Sequence, residues 1–285
     1  MNKSLLVLIA FLFVMNINGA AQPLRLNLMT FNVRYDNPED SLNNWKYRKD
    51  FAANMIRFYD IDVLGTQEVL NNQLNDLLSA LPQYAYAGVG RLDGKKAGEY
   101  SAVFYKKDKF DLLDSGNFWL SENPSAAGVK GWDAACERIV TWVILKEKKT
   151  EKKFAFINTH FDHVGKIARR ESAKLLLSKV KEIAKDLPLF VSGDFNSTPQ
   201  SEVITMLTDK NRTNHLIDSR SIAPFIYGPA WTNHSFGEDP MEKRRIIDYI
   251  FVNNKVKVEV EAVIAERLNN LYLSDHNPVL LKASF

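Results

Sequence analysis

Short apolar segments that end in a cluster of polar residues recur along this chain, and this pattern limits the available folds most strongly. Residues 189–191 precede Asp194 and Asn196, and residues 271–273 precede Asp275 and His276. A strand end holds a side chain rigidly, and a carboxylate beside an amide or imidazole suits a hard divalent cation and a phosphoryl oxygen. The same arrangement recurs at other apolar segments, which end at Asn32, Glu68 and His160 or begin at Asp248.

Strand-like segments outnumber helical ones, which favours a mixed rather than a purely parallel sheet. Strands are predicted at 24–30, 62–65, 102–105, 139–145, 154–158 and 256–264, and around 189, 249 and 279. Helices are predicted over 71–81 and where Ala173, Leu176, Leu177, Val180 and Ala184 share one face. Ligand sites in layered α/β proteins collect at the carboxyl ends of strands. We therefore expect the polar clusters to converge on one site.

The first 21 residues have the pattern of a secretory signal peptide. Lys3 is followed by an apolar run over 5–15 and by small and polar residues over 16–21. The alternative is a retained membrane anchor, but the run is short for a span of about 20 residues. We expect cleavage, a secreted or periplasmic location, and no membrane span in the mature chain. No linker, repeat or low-complexity tract interrupts residues 22–285, which favours one catalytic domain.

Charge and cysteine content limit what can be inferred about nucleic-acid binding and disulfides. The formal net charge is +3, and removal of Lys3 leaves +3 − 1 = +2, so basicity does not by itself indicate nucleic-acid binding. Cys136 is the only cysteine, which excludes an internal disulfide.

Six motifs in order along the chain resemble those of the endonuclease/exonuclease/phosphatase superfamily, from residue 24 to residue 285. They are Thr30–Val33, Thr66–Glu68, Asn158–His160, Gly193–Asn196, Ile247–Tyr249 and Ser274–His276. The resemblance implies a four-layer α/β sandwich, with two mixed β-sheets face to face, helices outside and the site at one rim. It also implies hydrolysis of a phosphodiester or phosphomonoester that depends on Mg²⁺, with Mn²⁺ as a substitute.

The resemblance assigns a metal role to three residues. Glu68 is the expected main ligand, and Asn32 and Asp275 are expected beside the ion. Mg²⁺ keeps several waters and needs only one or two protein carboxylates, which agrees with this small acid set. The alternatives are a helix-terminal acid for Glu68 and a strand-end cap for Asn32.

The resemblance assigns the chemistry to five further residues. Asp194 is expected to orient and deprotonate the attacking water for in-line attack, with Asn196 holding that water or a phosphate oxygen. His160 and His276 are expected to contact the phosphate, with Asp248 fixing the ring of His276. The alternative for Asp194 is an Asx-turn after a strand.

Several residues near these motifs leave two readings open. Arg138 either binds a substrate phosphate as a planar donor fork or pairs with a surface acid. Asp162 either binds metal or caps a loop. Arg34, Trp45 and Arg48 follow Asn32 and either stack on a base or sugar or belong to the core.

Three functions are compatible with these motifs. The first is a secreted phosphoesterase that acts on a small molecule or a lipid head group. The second is a secreted nuclease on RNA or DNA, and the third is a binding protein for phosphorylated ligands without chemistry. Abasic endonucleases have Tyr and Asn where this chain has Asn158–His160, which favours the deadenylase, sphingomyelinase and phosphatase side of the superfamily. No motif indicates an obligate protein partner.

Overall fold

The computed structural model describes residues 22–285, so the predicted signal peptide lies outside the described residues. The strands are β1 (Arg25–Asn32), β2 (Val63–Gln67), β3 (Tyr84–Ala87), β4 (Val103–Lys106), β5 (Phe110–Trp119), β6 (Ile139–Glu147), β7 (Lys153–His160), β8 (Leu189–Asp194), β9 (Ile217–Asp218), β10 (Ile226–Tyr227), β11 (Asp248–Val252), β12 (Lys257–Val263), β13 (Arg267–Leu268), β14 (Leu271–Tyr272) and β15 (Val279–Ser284). The α-helices are α1 (Trp45–Phe58), α2 (Asn71–Ala80), α3 (Lys166–Ala184), α4 (Glu202–Leu207) and α5 (Ser219–Ile222), and short 3₁₀ helices cover Pro38–Asn43, Ser235–Gly237 and Met241–Lys243.

Two large sheets contain most of the strands. The first has seven strands in the order β10-β12-β15-β1-β2-β4-β3, and the second has six in the order β5-β6-β7-β8-β11-β9. The pairs β1–β2 and β10–β12 are parallel in the first sheet, as is β7–β8 in the second, whereas the other pairs are antiparallel. Both sheets are therefore mixed, as predicted.

Three apolar clusters separate four layers. One cluster combines side chains of both sheets, including Leu28, Val63, Phe156 and Phe190, so the sheets pack face to face. A second cluster joins the outer face of the first sheet to α1 and α2. A third joins the outer face of the second sheet to α3 and α4. The predicted four-layer α/β sandwich is confirmed.

Helix α3 shows how local sequence and packing cooperate. Its first free amides, from Ile167 and Ala168, donate to the Asp133 carboxylate at 3.2 and 2.6 Å. A carboxylate at this end satisfies unpaired N–H groups and interacts favourably with the helix dipole. The predicted apolar face is buried. Full burial of each of its Leu and Val side chains contributes about 1.5–3 kcal/mol.

Strand direction explains why the polar clusters meet. The parallel pairs β1–β2 and β7–β8 run so that Asn32 at the end of β1 contacts Asp194 at the end of β8. Strand β11 is antiparallel to β8 and begins with Asp248 opposite Asp194. Strand β15 is antiparallel to β1, which brings the residues just before Val279 to the same rim. The expected convergence is confirmed.

A buried polar network joins the two sheets beneath this rim. Asn158 of β7 donates to the carbonyl oxygens of Thr66 and Ala102 at 2.8 and 3.0 Å. Its side-chain oxygen accepts from Gln67 Nε2 at 2.7 Å and from Ser192 Oγ at 3.0 Å. This arrangement satisfies every hydrogen-bonding position of one amide that has no solvent exposure.

The longest strand that the sequence pattern missed is β5, and the short strands β3, β9, β10 and β13 were also not predicted. The middle residues of β5 are largely exposed and include Leu112 and Leu113 as well as Asp114 and Ser115, and a bulge lies between Leu112 and Asp114. This strand forms an edge of the second sheet, where polar residues and bulges are common, so its sequence lacks the apolar alternation of an inner strand.

Among the helices of residues 22–285, none is long and apolar enough to cross a membrane.

We predict that Asn158→Ala lowers the free energy of unfolding by about 2–4 kcal/mol, because it leaves several buried donors and acceptors unpaired. Chemical denaturation of the variant and the parent protein measures this difference. Asn254→Ala, at an exposed position after β11, is the matched control and changes the stability by less than about 0.5 kcal/mol. Equal stability of the two variants contradicts a structural role for the network.

Candidate active site

The converging strand ends surround one cleft of about 480 Å³. It is lined by Arg34, Tyr35, Glu68, Arg91, Glu99, Cys136, Arg138, His160, His163, Asp194, Asn196, Asn233, Ile247 and His276. Six of the nine predicted site residues therefore line it directly. Asn32 and Asp248 are buried behind the wall, and Asp275 borders a neighbouring depression that shares Arg34.

Asn32 holds two carboxylates in place from behind the cleft. Its side-chain nitrogen donates to Glu68 Oε1 at 2.9 Å and to Asp194 Oδ2 at 3.1 Å. Its side-chain oxygen accepts from the amide of Arg34 at 3.0 Å. These contacts make Asn32 a positioning residue for an acid of each sheet, and its expected place beside a metal ion stays a prediction.

Glu68 lies just beyond β2 in the left-handed backbone region, with φ of 61°. This conformation is uncommon for a residue with a side chain and costs free energy, so surrounding contacts must hold it. Oε1 accepts from Asn32, and Oε2 accepts from the amide of Tyr35 at 3.2 Å. Asn196 also lies beside the cleft with a positive φ, of 45°.

Asp194, His276 and Asp248 form a buried charged array. His276 Nδ1 lies 2.9 Å from Asp248 Oδ2 and 3.8 Å from Asp194 Oδ2. Burial lowers the pKa of His276, but the three carboxylates of Asp248, Asp194 and Asp275 outweigh it and raise this pKa well above its usual value. The ring is therefore an imidazolium at neutral pH, held by Asp248.

Burial raises the pKa of Asp194 to about 7, and the charge of Asp248 adds to this effect. Asp194 Oδ1 accepts from the amide of Asn196 at 2.9 Å, which is the Asx-turn considered as an alternative. The turn fixes the carboxylate without preventing its second oxygen from bonding Asn32. The two readings of Asp194 are thus compatible.

His160 differs from His276 in its charge. Burial, together with the positive charges of Arg138 and Arg91, lowers the pKa of His160 well below its usual value, so the ring is neutral at pH 7. Its Nε2 lies 3.1 Å from Asn196 Nδ2 and 3.5 Å from Asp194 Oδ2. Its Nδ1 is buried without a hydrogen-bond partner. The cleft thus contains one neutral and one cationic imidazole.

Arg138 forms an ion pair, as one of its two expected roles requires, and its binding of a substrate phosphate stays a prediction. It pairs with an acid, Asp162, at 3.3 Å, but that acid is buried rather than on the surface. Its Nη2 lies 2.9 Å from His163 Nδ1, and its Nη1 has no partner at the edge of the cleft. Asp162 accepts backbone amides from two loops, including Gly165 at 2.7 Å and Ala135 at 3.1 Å, so it caps loops.

Of the three residues after Asn32, only Arg34 lines the cleft. Trp45 is buried against α2 and donates to Asp76 at 2.9 Å. Arg48 is fully buried and donates to the carbonyl oxygens of Val33 and Leu273, each at 2.8 Å. Neither can stack on a ligand, and Arg48 instead ties the end of β1 to the loop that carries Asp275.

Two groupings of ligating atoms are relevant to a metal ion. Among the described residues, Asp194, Asp248 and His276 offer ligand atoms within 4.8 Å of one another. An ion there requires the 2.9 Å contact between His276 and Asp248 to open and the imidazolium to lose its proton. Glu68 and Asp275 form the other grouping. Burial raises the pKa of Asp275, and the negative charge of Glu68 adds to this effect. A divalent cation offsets such repulsion between carboxylates.

Sequence reasoning missed several residues of the cleft wall. Arg91 and Glu99 lie in the loop between β3 and β4, outside any strand-end pattern, and form an ion pair at 2.7 Å. Asn233 lies in a loop after Trp231, and its Nδ2 is 3.0 Å from His276 Nε2. No local signal in the sequence identifies these three residues, since only the folded chain brings them to the cleft.

The chain matches known proteins over nearly its whole length. The sequence model described as the Endonuclease/Exonuclease/phosphatase family matches residues 29–276. An endonuclease/exonuclease/phosphatase from Bacteroides vulgatus is 48% identical, with a TM-score of 0.88, and the match covers 91% of this chain and 98% of that chain. A mannosyl-6-phosphatase from Bacteroides thetaiotaomicron VPI-5482 is 38% identical, with a TM-score of 0.84, covering 91% of this chain and 100% of that chain.

Nucleases are more distant relatives. The CCR4-Not complex 3'-5'-exoribonuclease subunit Ccr4 of Yarrowia lipolytica is 26% identical over 216 residues, which are 60% of this chain and 31% of that protein. The chain thus spans about a third of that relative's length.

We predict that Asp248→Asn lowers the pKa of His276, because Asp248 is the strongest of the carboxylates that raise it. Imidazole NMR titration of the metal-free protein measures the change directly. Resonances of His215, which contacts only the carbonyl of Arg212, serve as the internal control. An unchanged His276 titration contradicts the electrostatic role of Asp248.

Proposed function

The chain belongs to the endonuclease/exonuclease/phosphatase family, and we propose that it is a Mg²⁺-dependent hydrolase that cleaves phosphomonoesters of small alcohols. The observation that carries the proposal is the arrangement of Asp194 between an imidazolium and a neutral imidazole. This arrangement supplies a base for water and donors for phosphate oxygens within one cleft.

Oxygen ligands support Mg²⁺ as the cofactor. Glu68 and Asp275 offer hard carboxylate oxygens. Mg²⁺ and Mn²⁺ prefer such oxygens to the soft sulfur of thiolates. A bound ion supplies a Lewis acid that neutralises developing charge on the phosphoryl group. We assign Glu68 and Asp275 to hold it, with Asn32 fixing the orientation of Glu68.

The side chains divide the remaining work. Ionised Asp194 orients a water and accepts its proton as the water oxygen bonds to phosphorus in line with the leaving alcohol. The imidazolium of His276 donates to a non-bridging oxygen and stabilises its charge. We assign Asn196 and Arg138 to contact the phosphate as well, which requires Asn196 Nδ2 to exchange a contact with His160 Nε2 or Phe161 O and the buried, unpartnered Nη1 of Arg138 to become accessible. The P–O bond to the alcohol breaks, the leaving oxygen takes a proton from solvent water, and Asp194 returns its proton to solvent as free alcohol and phosphate leave.

Charge pairing supports a small substrate over a nucleic acid. Each of the three arginines that line the cleft is paired with a carboxylate, namely Arg34 with Asp40, Arg91 with Glu99 and Arg138 with Asp162. No lysine is among the lining residues. A nucleic-acid channel needs unpaired cations along the backbone path. The 38% identity to a mannosyl-6-phosphatase also supports a small phosphate monoester.

A nuclease is the second candidate, supported by the similarity to Ccr4. Turnover of single-stranded RNA with a steep salt dependence, beside inactivity on hexose 6-phosphates, would favour it. We also propose a secreted or periplasmic location from the predicted signal peptide. Amino-terminal sequencing of protein from the host cell, with a start near residue 22, tests this location.

We predict that Glu68→Gln weakens metal binding by roughly 10- to 100-fold, because the ion loses an anionic ligand. Titration of the protein with Mn²⁺, followed by electron paramagnetic resonance, measures binding without reference to turnover. Glu171→Gln on α3, whose carboxylate pairs with Arg170 and Lys174, is the control and binds Mn²⁺ as the parent does. Parent-like affinity of the Glu68 variant would place the ion elsewhere, with the Asp194 grouping as the alternative.

We predict that kcat/KM for p-nitrophenyl phosphate rises with pH as Asp194 ionises, since a base must be deprotonated, and falls when His276 loses its proton. The pKa of Asp194 without metal is about 7, and the midpoint of the rise in kcat/KM lies at or below this pH. A bound cation favours the ionised carboxylate and therefore moves the midpoint to lower pH. Asp194→Asn lowers kcat by at least about 100-fold. Asp218→Asn, at a partly buried acid that caps α5, keeps the parent rate. A pH-independent rate argues against Asp194 as the base.

A further inference from the structure

The loop between β3 and β4 presents a fixed ion pair to the cleft. Arg91 Nη1 and Nη2 donate to Glu99 Oε2 and Oε1, each at 2.7 Å, which is the bidentate arrangement. The backbone repeats the pairing, because the amide of Arg91 donates to the carbonyl of Glu99 at 3.1 Å. The two side chains are only 13% and 18% exposed. Such a pair is well defined in geometry and is neutral overall.

The loop is anchored at both sides of this pair. Trp119 Nε1 donates to the carbonyl of Arg91 at 2.7 Å. The amide of Tyr100, next to Glu99, donates to the carbonyl of Val69, next to Glu68, at 2.8 Å. A Cβ at Gly90 would lie 2.3 Å from the carbonyl oxygen of Ala97, so the loop closes tightly. Arg91 and Glu99 are therefore held at a set distance from the metal ligand Glu68.

The pair borders the place proposed for the phosphate. Arg91 and Glu99 line the same cleft as Asp194 and His276. They also line a smaller cavity together with Glu68 and His160. When the phosphate of a bound ester contacts His160, the alcohol part of the ester therefore lies towards this wall of the cleft or towards the opening.

The chemistry of the pair selects hydroxyl groups. Each Glu99 oxygen keeps an acceptor lone pair after binding Arg91, and each Arg91 Nη keeps a second N–H, whereas Nε is buried without a partner. A second phosphate group on the substrate gains little electrostatic energy from a wall with no net charge. An aryl group would leave the polar atoms of Arg91 and Glu99 without hydrogen-bond partners. Neighbouring hydroxyls of a polyol can donate to the carboxylate and accept from the guanidinium at the same time.

We propose that Arg91 and Glu99 form the specificity subsite that binds hydroxyl groups of a sugar-like alcohol in the substrate. This inference rests on the proposed phosphomonoesterase activity and adds the class of alcohol and the residues that select it. Arg91 and Glu99 act in substrate selection, since the proton transfers are assigned to other residues.

The first experiment uses the parent protein with Mg²⁺. It compares kcat/KM for mannose 6-phosphate and glucose 6-phosphate with that for ethyl phosphate, an alkyl ester without further hydroxyls. We expect at least one hexose ester to exceed ethyl phosphate by about 100-fold or more, because buried polar groups left unpaired penalise a substrate that lacks hydroxyls. Equal values for all three overturn the inference while leaving the proposed hydrolase intact. Inactivity on every ester overturns the proposed function as well.

The second experiment separates recognition from loop structure. Glu99→Gln is expected to lower kcat/KM for the preferred hexose ester by about 10- to 100-fold, mainly through KM, and to leave ethyl phosphate within about twofold. Arg91→Lys, which keeps the charge and loses the fork, is expected to show the same selective loss. Glu171→Gln is the matched ion-pair control outside the cleft. An equal loss of kcat/KM for both substrates would mean that the pair only maintains the loop structure. No loss for either substrate would mean that the pair has no role in substrate selection.

Discussion

The close contact of two sheets at Asn158 is the constraint on which the site depends. Its side chain bonds the carbonyls of Thr66 and Ala102 in the first sheet while β7 belongs to the second. Gly65 permits this approach, because a Cβ there would lie 2.3 Å from Ser192 Oγ and 2.5 Å from Asn158 Oδ1. An apolar interface can slide with little penalty, whereas a fully bonded buried amide fixes one register. The carboxyl ends of β1, β2, β7 and β8 are thereby held at one rim.

Asn32 also links the two sheets by hydrogen bonds, at the wall of the cleft. One amide group contacts Glu68 from its own sheet and Asp194 from the other, at 2.9 and 3.1 Å. The metal ligand and the base proposed for this site are therefore linked by a single side chain. A shift of either sheet would alter both contacts together, which couples the packing of the sandwich to the chemistry of the cleft.

The electrostatics of the cleft follow from which charges surround each ring. His276 lies among three carboxylates, and His160 lies beside two arginines, so burial leaves the first cationic and the second neutral. Pairing of each cleft arginine with an acid removes the free positive charge that a polynucleotide path requires. The proposal of a small anionic substrate rests on this pairing.

The amino-acid sequence by itself determined the mixed sheets and most of the chemical groups, and the family resemblance implied the four layers. Apolar periodicity and strand-end polar residues are local properties, so the mixed sheets, α3 and the clusters around Glu68, Asp194 and His276 could be predicted from it. Strand β5 could not, because an edge strand with a bulge and exposed polar residues lacks that periodicity. The function of residues 1–21 stays a prediction, as does the single-domain assignment.

Only the tertiary structure decided which of these groups touch. It made Asn32 a bridge between acids, left His160 neutral and His276 cationic, and buried Trp45 and Arg48 away from the cleft. It also brought Arg91 and Glu99 to the cleft wall from a loop without a motif. These outcomes depend on distances between residues far apart in the chain, such as the 162 positions between Asn32 and Asp194. Local sequence patterns carry the identity of a side chain, whereas its charge state and partners are set by neighbours that only folding supplies.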